Sequence, residues 1–473
     1  MNLVDFFKNT IETNFKDELK SILYRSVDNA VYSNIDIIKN YKNIFIISVG
    51  KVSLIMFKAL IDRFQKYKIN YNKAYIIYDV NLKNDLEDNF LNNNQKIELL
   101  PSTHPLVSEN SFIAAKKVID LILQNDSQDS LFLFLISGGS SAMIEDSVIP
   151  YPTLSEIYKI LLNLDLNIYQ LNTYRTFLSN IKGGKLLQYF NKSKIISLII
   201  SDVPFNSIDI IGSGLTTYYK KLSYEQINQL VSELSEYLRI LVDAKMFLNI
   251  IHKNKEIQKI METKTEYLNK NLSNIIILDN FEALYLLFNQ LNKLKDFYKL
   301  SLGISNFDIK IVCSHINLDL YSLCNTFKSF IFTKLNEYLK GEIKSGIKVY
   351  LFGGETFLKI LKEGYGGRIQ HLALSLLKEL YYYFNNNNSI LEKVDLLFLG
   401  LATDAKDGNT NNAGVIINIS EFLNKDISKI ERYLNNFNSG IFFDNPKNSK
   451  YVIKLPYGLI NLNEIYGIIF NFK

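Results

Sequence analysis

The 473-residue chain has only two cysteines, Cys313 and Cys324, and four histidines dispersed at 104, 252, 315 and 371. So few thiols exclude a disulfide framework, and no His or Cys pattern has zinc-site spacing, which suits a reducing cytoplasm. Basic blocks and Arg-rich stripes are missing too. Lys and Arg exceed Asp and Glu only by 53 to 48, with the lysines scattered among Asn, Ile and Tyr, so no nucleic-acid partner is expected. The start, MNLVDFFKNTIETNFKDEL, places acidic residues in its first turns and lacks an uninterrupted apolar core. It reads as an amphipathic helix rather than a signal peptide or membrane span, and no membrane partner is expected. The turn in SVGKVSL holds a single glycine, so there is no dinucleotide fingerprint. No internal repeat is visible.

What is present suits two α/β domains: 47% of the residues are hydrophobic, enough for a sizeable core. The organising stretch is LFLFLISGGSSAM, 131 to 143. Its six apolar residues predict a strand buried on both faces, and the small residues Ser137, Gly138, Gly139, Ser140 and Ser141 predict a loop of amides and hydroxyls at its carboxyl end. Open α/β sheets bind anions at such a place, although a plain strand-to-helix turn has the same composition. Further strands are expected at 44–49, 73–78, 97–100 and 195–200, and, resuming a second sheet, at 274–279, 309–313, 349–354, 396–401 and 414–418. Ser108 is expected to cap a helix, and TLSE (153–156) to open another as a capping box. The helical run from Ser223 to Lys270 is expected to separate the domains, drawn as 1–235 and 236–473.

Small or charged turns follow several strands: Gly50-Lys51, SGGSSA, SDVP (201–204) and GGET (353–356), with EGYGGR (363–368) and ATDAKDGNTNNAG (402–414) beyond. Together they supply what phosphate handling requires: glycine loops that include Gly353, Gly354, Gly366 and Gly367, cations at Lys51 and Arg368, and carboxylates at Asp202, Glu355, Asp404 and Asp407. Alone, Lys51 would read as a solvated lysine at a helix start. Arg368 is different, because a cation just after two glycines at a helix start is poorly placed for the macrodipole and needs an anion.

The order GK, HP, SGGSSA, YRTFLSNIKGG, SDVP, GSGLT, GGET, GYGGR, TDAKDG and AG resembles the type II glycerate kinases almost from end to end. The resemblance implies a Rossmann-like N-terminal α/β domain, a C-terminal region that includes a MOFRL domain (about 346–465), and a cleft between two domains. It also implies ATP-dependent phosphorylation of D-glycerate at its 2-hydroxyl, with Mg2+, and it is compatible with a homo-oligomer. Carried over, it makes Lys51, Arg368 and Asp404 the catalytic set, with Asp404 either accepting the hydroxyl proton or holding metal. Arg175 and Lys182 become candidates for substrate or phosphate, and Asp202, Glu355 and Asp407 for Mg2+.

Several positions depart from the family wording. SGGGSA has Ser140 for a glycine; SDVPGD becomes SDVPFN, with Phe205 and Asn206; TDGIDG becomes TDAKDG; GGRNQE becomes GGRIQH, with His371; and TGPTGTNVNDL survives only as KLPYGLINLNEI (454–465). Phe205 in place of glycine is expected to resist a positive φ. A degenerate relative that binds without transferring is the alternative reading. A hydroxypyruvate reductase is disfavoured by the missing dinucleotide loop.

Overall fold

The structure, a computed structural model, describes residues 2–81, 94–164, 166–238, 241–304, 306–359, 361–384, 390, 392–422, 427–456 and 460–473. The Asn-rich stretch at 82–93, the Asn run at 385–388 and part of the 454–465 motif lie outside them. Among the described residues no helix is long and apolar enough to cross a membrane.

Two compact units are present. The first comprises Leu23–Asp202 and Asn206–Leu278, and the second Met1–Ile22, Val203–Phe205 and Asp279–Lys473. In the first, β1 (Asn43–Val49), β2 (Lys73–Asp79), β3 (Ile97–Ser102), β4 (Ser130–Ile136), β5 (Lys194–Ile200) and β6 (Leu272–Leu278) form one sheet in the order β3-β2-β1-β4-β5-β6. Every pairing is parallel. This is the doubly wound order, whose direction of winding reverses between β1 and β4. All seven residues of β4 are buried, as its unbroken apolar run requires of a strand covered on both faces.

The second unit carries β7 (Phe307–Asp319), β8 (Gly346–Phe357), β9 (Val394–Ala402), β10 (Gly414–Asn418), β11 (Val452–Ile453) and β12 (Glu464–Phe472), in the order β11-β10-β9-β12-β8-β7. Only β7 and β8 pair in parallel; the remaining pairings are antiparallel. The class is therefore α/β in both units, the second sheet being mixed.

Several expectations are corrected. The strand expected to open the second sheet at 274–279 is β6, and it pairs with β5 of the first. The helices Tyr224–Tyr237, Ala244–Glu262 and Thr265–Asn271 are not a spacer. Leu234, Phe247 and Ile250 bury themselves with Leu154 and Phe177 in the first unit's core, so an amphipathic run read as a connector is a layer of that unit. The division at 235/236 thus differs from the units observed. The helix expected at TLSE begins earlier, at Tyr151, with Pro150 at its cap and Pro152 in its first turn, which places Thr153 inside the helix. Ser108 does cap the helix Glu109–Asn125, and its N–H donates to Ser111 Oγ at 3.0 Å. Phe205, expected to resist a positive φ, takes one of +60°, and Ala405, another residue standing for a family glycine, has φ +67°. Both loops keep a glycine-like backbone at a cost of about 1–2 kcal/mol each.

Candidate functional site

The register of β1 on β4 ends with Val49 opposite Ile136, so Gly50-Lys51 and Ser137-Gly138 leave the sheet side by side at the reversal point. Backbone bonds join the two turns, Ser137 N–H to Val49 O at 3.1 Å and Lys51 N–H to Gly138 O at 2.9 Å. Gly50 must be glycine. Its φ is +125°, and a Cβ there would lie 2.2 Å from Ser137 Oγ. Ser137 Oγ accepts the Val52 N–H at 3.4 Å, Ser140 Oγ is buried without a hydrogen-bond partner, and Ser141 is partly exposed. Gly139, at φ +85°, has Lys51 and His104 packed so closely that a Cβ would come within 3.0 Å of Lys51 Cγ and 3.1 Å of His104 Cδ2. The Asp202 carboxylate lies against Gly138, where an added Cβ would meet Oδ2 at 1.9 Å. Burial, reinforced by the Lys51 cation and then by Arg175, pulls His104 down to about 4 and keeps it neutral. The result is a loop of amides and hydroxyls with the Lys51 side chain and the Asp202 carboxylate packed against it, an arrangement that suits a phosphoryl group.

Behind this loop stands an ion pair that sequence reading missed. Lys182 and Glu145 are paired with side-chain exposures of 1% and 0%. Glu145 also accepts from Tyr158 OH at 2.8 Å and from Ser179 Oγ at 2.5 Å. The Lys182 ammonium is therefore buried and committed to Glu145. Burial lowers its pKa, opposed by Glu145. Arg175, half-buried, sits over the Tyr158 ring at 5.8 Å, and burial lowers its pKa as well. Lys185, equally unforeseen, is pushed down to about 7 by burial while it donates to Thr176 O at 2.6 Å, Ser179 O at 2.7 Å and Asn254 Oδ1 at 2.7 Å. The clue available in sequence was Glu145 itself, an acid directly following SGGSSAMI.

In the second unit, Arg368 opens the helix Arg368–Phe384. Its Nη1 donates to Glu355 Oε1 at 2.7 Å and to Thr356 O at 2.8 Å, and its Nε lies 3.1 Å from Glu464 Oε1. Nη2 is the edge of the fork these bonds leave uncommitted. Burial works against the Arg368 cation, but Glu464 and Glu355 outweigh it and its pKa is raised. Glu464, at the start of β12, is 3% exposed; it accepts from Thr356 N–H at 3.1 Å and from Tyr466 OH. Burial pushes it up to about 7 even with Arg368 beside it.

Asp407 caps the Arg368 helix, accepting from Ile369 N–H at 3.0 Å and Gln370 N–H at 2.9 Å. It is 2% exposed, and burial raises it to about 6. Both oxygens of this metal candidate are thus committed to the helix, as Glu355 is to Arg368. Asp404 remains partly exposed and accepts from Lys406 N–H at 3.3 Å. The expected binding glycines act through close packing. Gly353 lies against Asn280, Gly354 against Ile316, Gly366 against Ser439 and Gly367 against Asp407. Among the described residues no cluster of three or more His, Cys, Asp or Glu that could hold a metal ion is found. Lys51 and Arg368 belong to different units.

Residues 5–243 match the model of a domain of unknown function, DUF4147, and residues 348–463 match the MOFRL family. A glycerate 2-kinase of Sulfurisphaera tokodaii is 31% identical over 428 residues, covering 89% of this chain and 88% of that protein. A glycerate 2-kinase of Picrophilus torridus is 27% identical over 428 residues, covering 86% and 87%. Among solved structures, a glycerate kinase of Thermotoga maritima shares the fold with a TM-score of 0.68 at 21% identity, over 96% of this chain and 99% of that one. With that identity sustained over so much of both chains, this chain belongs to the glycerate 2-kinase family.

Proposed function

We propose that the protein phosphorylates D-glycerate at its 2-hydroxyl, using ATP and releasing 2-phosphoglycerate and ADP. The observation that carries this reading is Lys51 beside the Ser137–Ser141 loop at the winding reversal of the first sheet, joined by the Lys51 N–H to Gly138 O bond. The 2-hydroxyl oxygen attacks the γ-phosphorus in line, the bond from the β–γ bridging oxygen to that phosphorus breaks, and the hydroxyl proton leaves to a base. Lys51, a mobile point charge, stabilises charge on the moving phosphoryl. Arg368 offers its Nη2 edge to the glycerate carboxylate, its fork held by Glu355 and Glu464. Asp404, with its carboxylate partly exposed, takes the proton.

Of the three metal candidates Asp202 fits Mg2+ best. Its carboxylate lies against Gly138 of the loop, and this ion typically takes one or two carboxylates beside phosphate oxygens and water. When bound, Mg2+ neutralises phosphate charge. The alternative, a degenerate binding protein, predicts nucleotide or glycerate binding without turnover.

The test is a coupled ADP-release assay with a panel of hydroxy acids, the product's regiochemistry read in the same run. The expected result is turnover with D-glycerate and phosphate on the 2-oxygen. Hydroxypyruvate-dependent NADH oxidation without any ATP-dependent product would refute the reading, and so would phosphate on the 3-oxygen.

A further inference from the structure

A cavity of about 320 Å³ in the second unit is not used by the chemistry above. It lies among the helix Leu320–Leu339, the helix Arg368–Phe384 and the segment that ends at Phe437. The first helix directly follows β7 and the second follows β8, and these strands are parallel. Both helices therefore start at the same edge of the sheet, where Arg368 stands. His371 and Ser375 line the cavity one and two turns along from Arg368.

Two features of the lining point to a ligand. His371 and Ser375 are 2% and 5% exposed, yet His371 Nε2 and Ser375 Oγ have no hydrogen-bond partner. Leaving such buried groups unmet is unfavourable, because each has given up its bond to water without a replacement. The lining is also neutral. Burial pulls His371 down to about 4, so its ring is uncharged at neutral pH, and burial pushes the Cys324 thiol up to about 12. The two charged residues on the lining are already paired, Lys378 with Glu431 at 3.7 Å and Glu379 with Lys328 at 2.7 Å. Nothing here favours a phosphate or a carboxylate. The walls are aromatic: Phe437 stacks on His371 with centroids 5.5 Å apart, and Tyr321 meets that imidazole edge-on at 6.5 Å. A flat, uncharged ring with donors and acceptors on its edge matches this lining.

We infer that the cavity takes the purine ring of an adenine nucleotide, with His371 Nε2 and Ser375 Oγ bonding its edge and Tyr321 and Phe437 as walls. The assignment to the phosphoryl donor rests on the kinase reading above; a separate effector nucleotide would use the same chemistry.

The chain contains no tryptophan, so Tyr321→Trp, at an exposed position, places a single fluorophore on the rim. Adenosine and ADP are expected to change its emission saturably, and tripolyphosphate is not. Ser375→Leu removes one bond and fills space; ADP affinity by calorimetry should fall at least about tenfold, equivalent to about 1.4 kcal/mol. A matching rise in KM for ATP, with KM for glycerate unchanged, identifies the donor's base. Weaker ADP binding with both KM values unchanged identifies an effector and equally supports the cavity. Nucleotide-dependent emission in a protein that shows no glycerate kinase turnover would leave this inference standing and remove the kinase reading. The inference is overturned if the wild type binds ADP or turns over while the Tyr321→Trp emission ignores adenosine and ADP. Wild-type affinity in folded Ser375→Leu has the same force.

Discussion

Replacing Glu145 by Gln probes the buried pair behind the anion loop. The amide keeps the carboxylate's shape; its one oxygen can accept from either Tyr158 OH or Ser179 Oγ, and the NH2 in place of the other oxygen can only donate to the second hydroxyl, so the change removes the charge and one acceptor. Lys182, 1% exposed at its side chain, then has no counter-ion, and Arg175 adds repulsion. Breaking a buried pair by removing one partner typically costs about 3–5 kcal/mol. Part of that cost is relieved if Lys182 loses its proton. Its folded-state pKa, already lowered by burial, should drop further, so the folded variant binds fewer protons than the unfolded chain below the ordinary lysine value. Stability of the variant should consequently rise from pH 7 towards pH 9.5 more steeply than that of the wild type. Urea unfolding followed by circular dichroism at both pH values measures this, and Glu145→Gln combined with Lys182→Met should recover much of the loss. A loss below about 1 kcal/mol, with no added pH slope, would refute the claim that this buried pair stabilises the fold.

Lys51→Met should lower kcat about a hundredfold to a thousandfold with a smaller effect on KM, measured by ADP release; wild-type turnover equal to the variant's would end the enzyme reading. Phe205→Gly should stabilise the protein by about 0.5–1 kcal/mol, the left-handed strain at φ +60° less glycine's added chain entropy, read as a shift in the urea midpoint. Glu464, raised by burial to about 7, binds its proton more tightly folded than unfolded. Its stabilising protonation is complete below the ordinary carboxylate range and lost as pH rises through 7, a change of about 3 kcal/mol. Asp407, raised to about 6, acts in the same sense. Glu464→Gln should flatten the decline in stability between pH 5 and 8, and an unchanged slope would show that Glu464 does not titrate there.

Local pattern was enough to locate β4 and the loop after it, because six successive apolar residues followed by small ones leave few alternatives to a buried strand and a tight turn. It likewise singled out Gly50-Lys51, and the motif order carried the family. Where patterns are shared between structures, sequence was insufficient. The amphipathic helices after Ser223 have an apolar face whether they connect units or cover one, and only the packing of Leu234, Phe247 and Ile250 decides which. β12 was overlooked although it lies at the centre of the second sheet, between β9 and β8, since nothing local reveals a strand's neighbours.

The carboxylates show the same division. Asp202, Glu355, Asp404 and Asp407 were visible as charged residues in turns, yet their tasks depend on partners brought by other segments. Asp407 became a helix cap, Glu355 an orienting partner of Arg368, and Glu464 a second one from a strand far along the chain. Glu145 and Lys182 are 37 residues apart and meet only because the fold buries both. Sequence by itself determined which residue types stand at the strand ends, since backbone and apolar preferences act over a few residues. Tertiary structure alone decided which charges meet, because an ion pair removed from water requires segments distant in the chain to close around it.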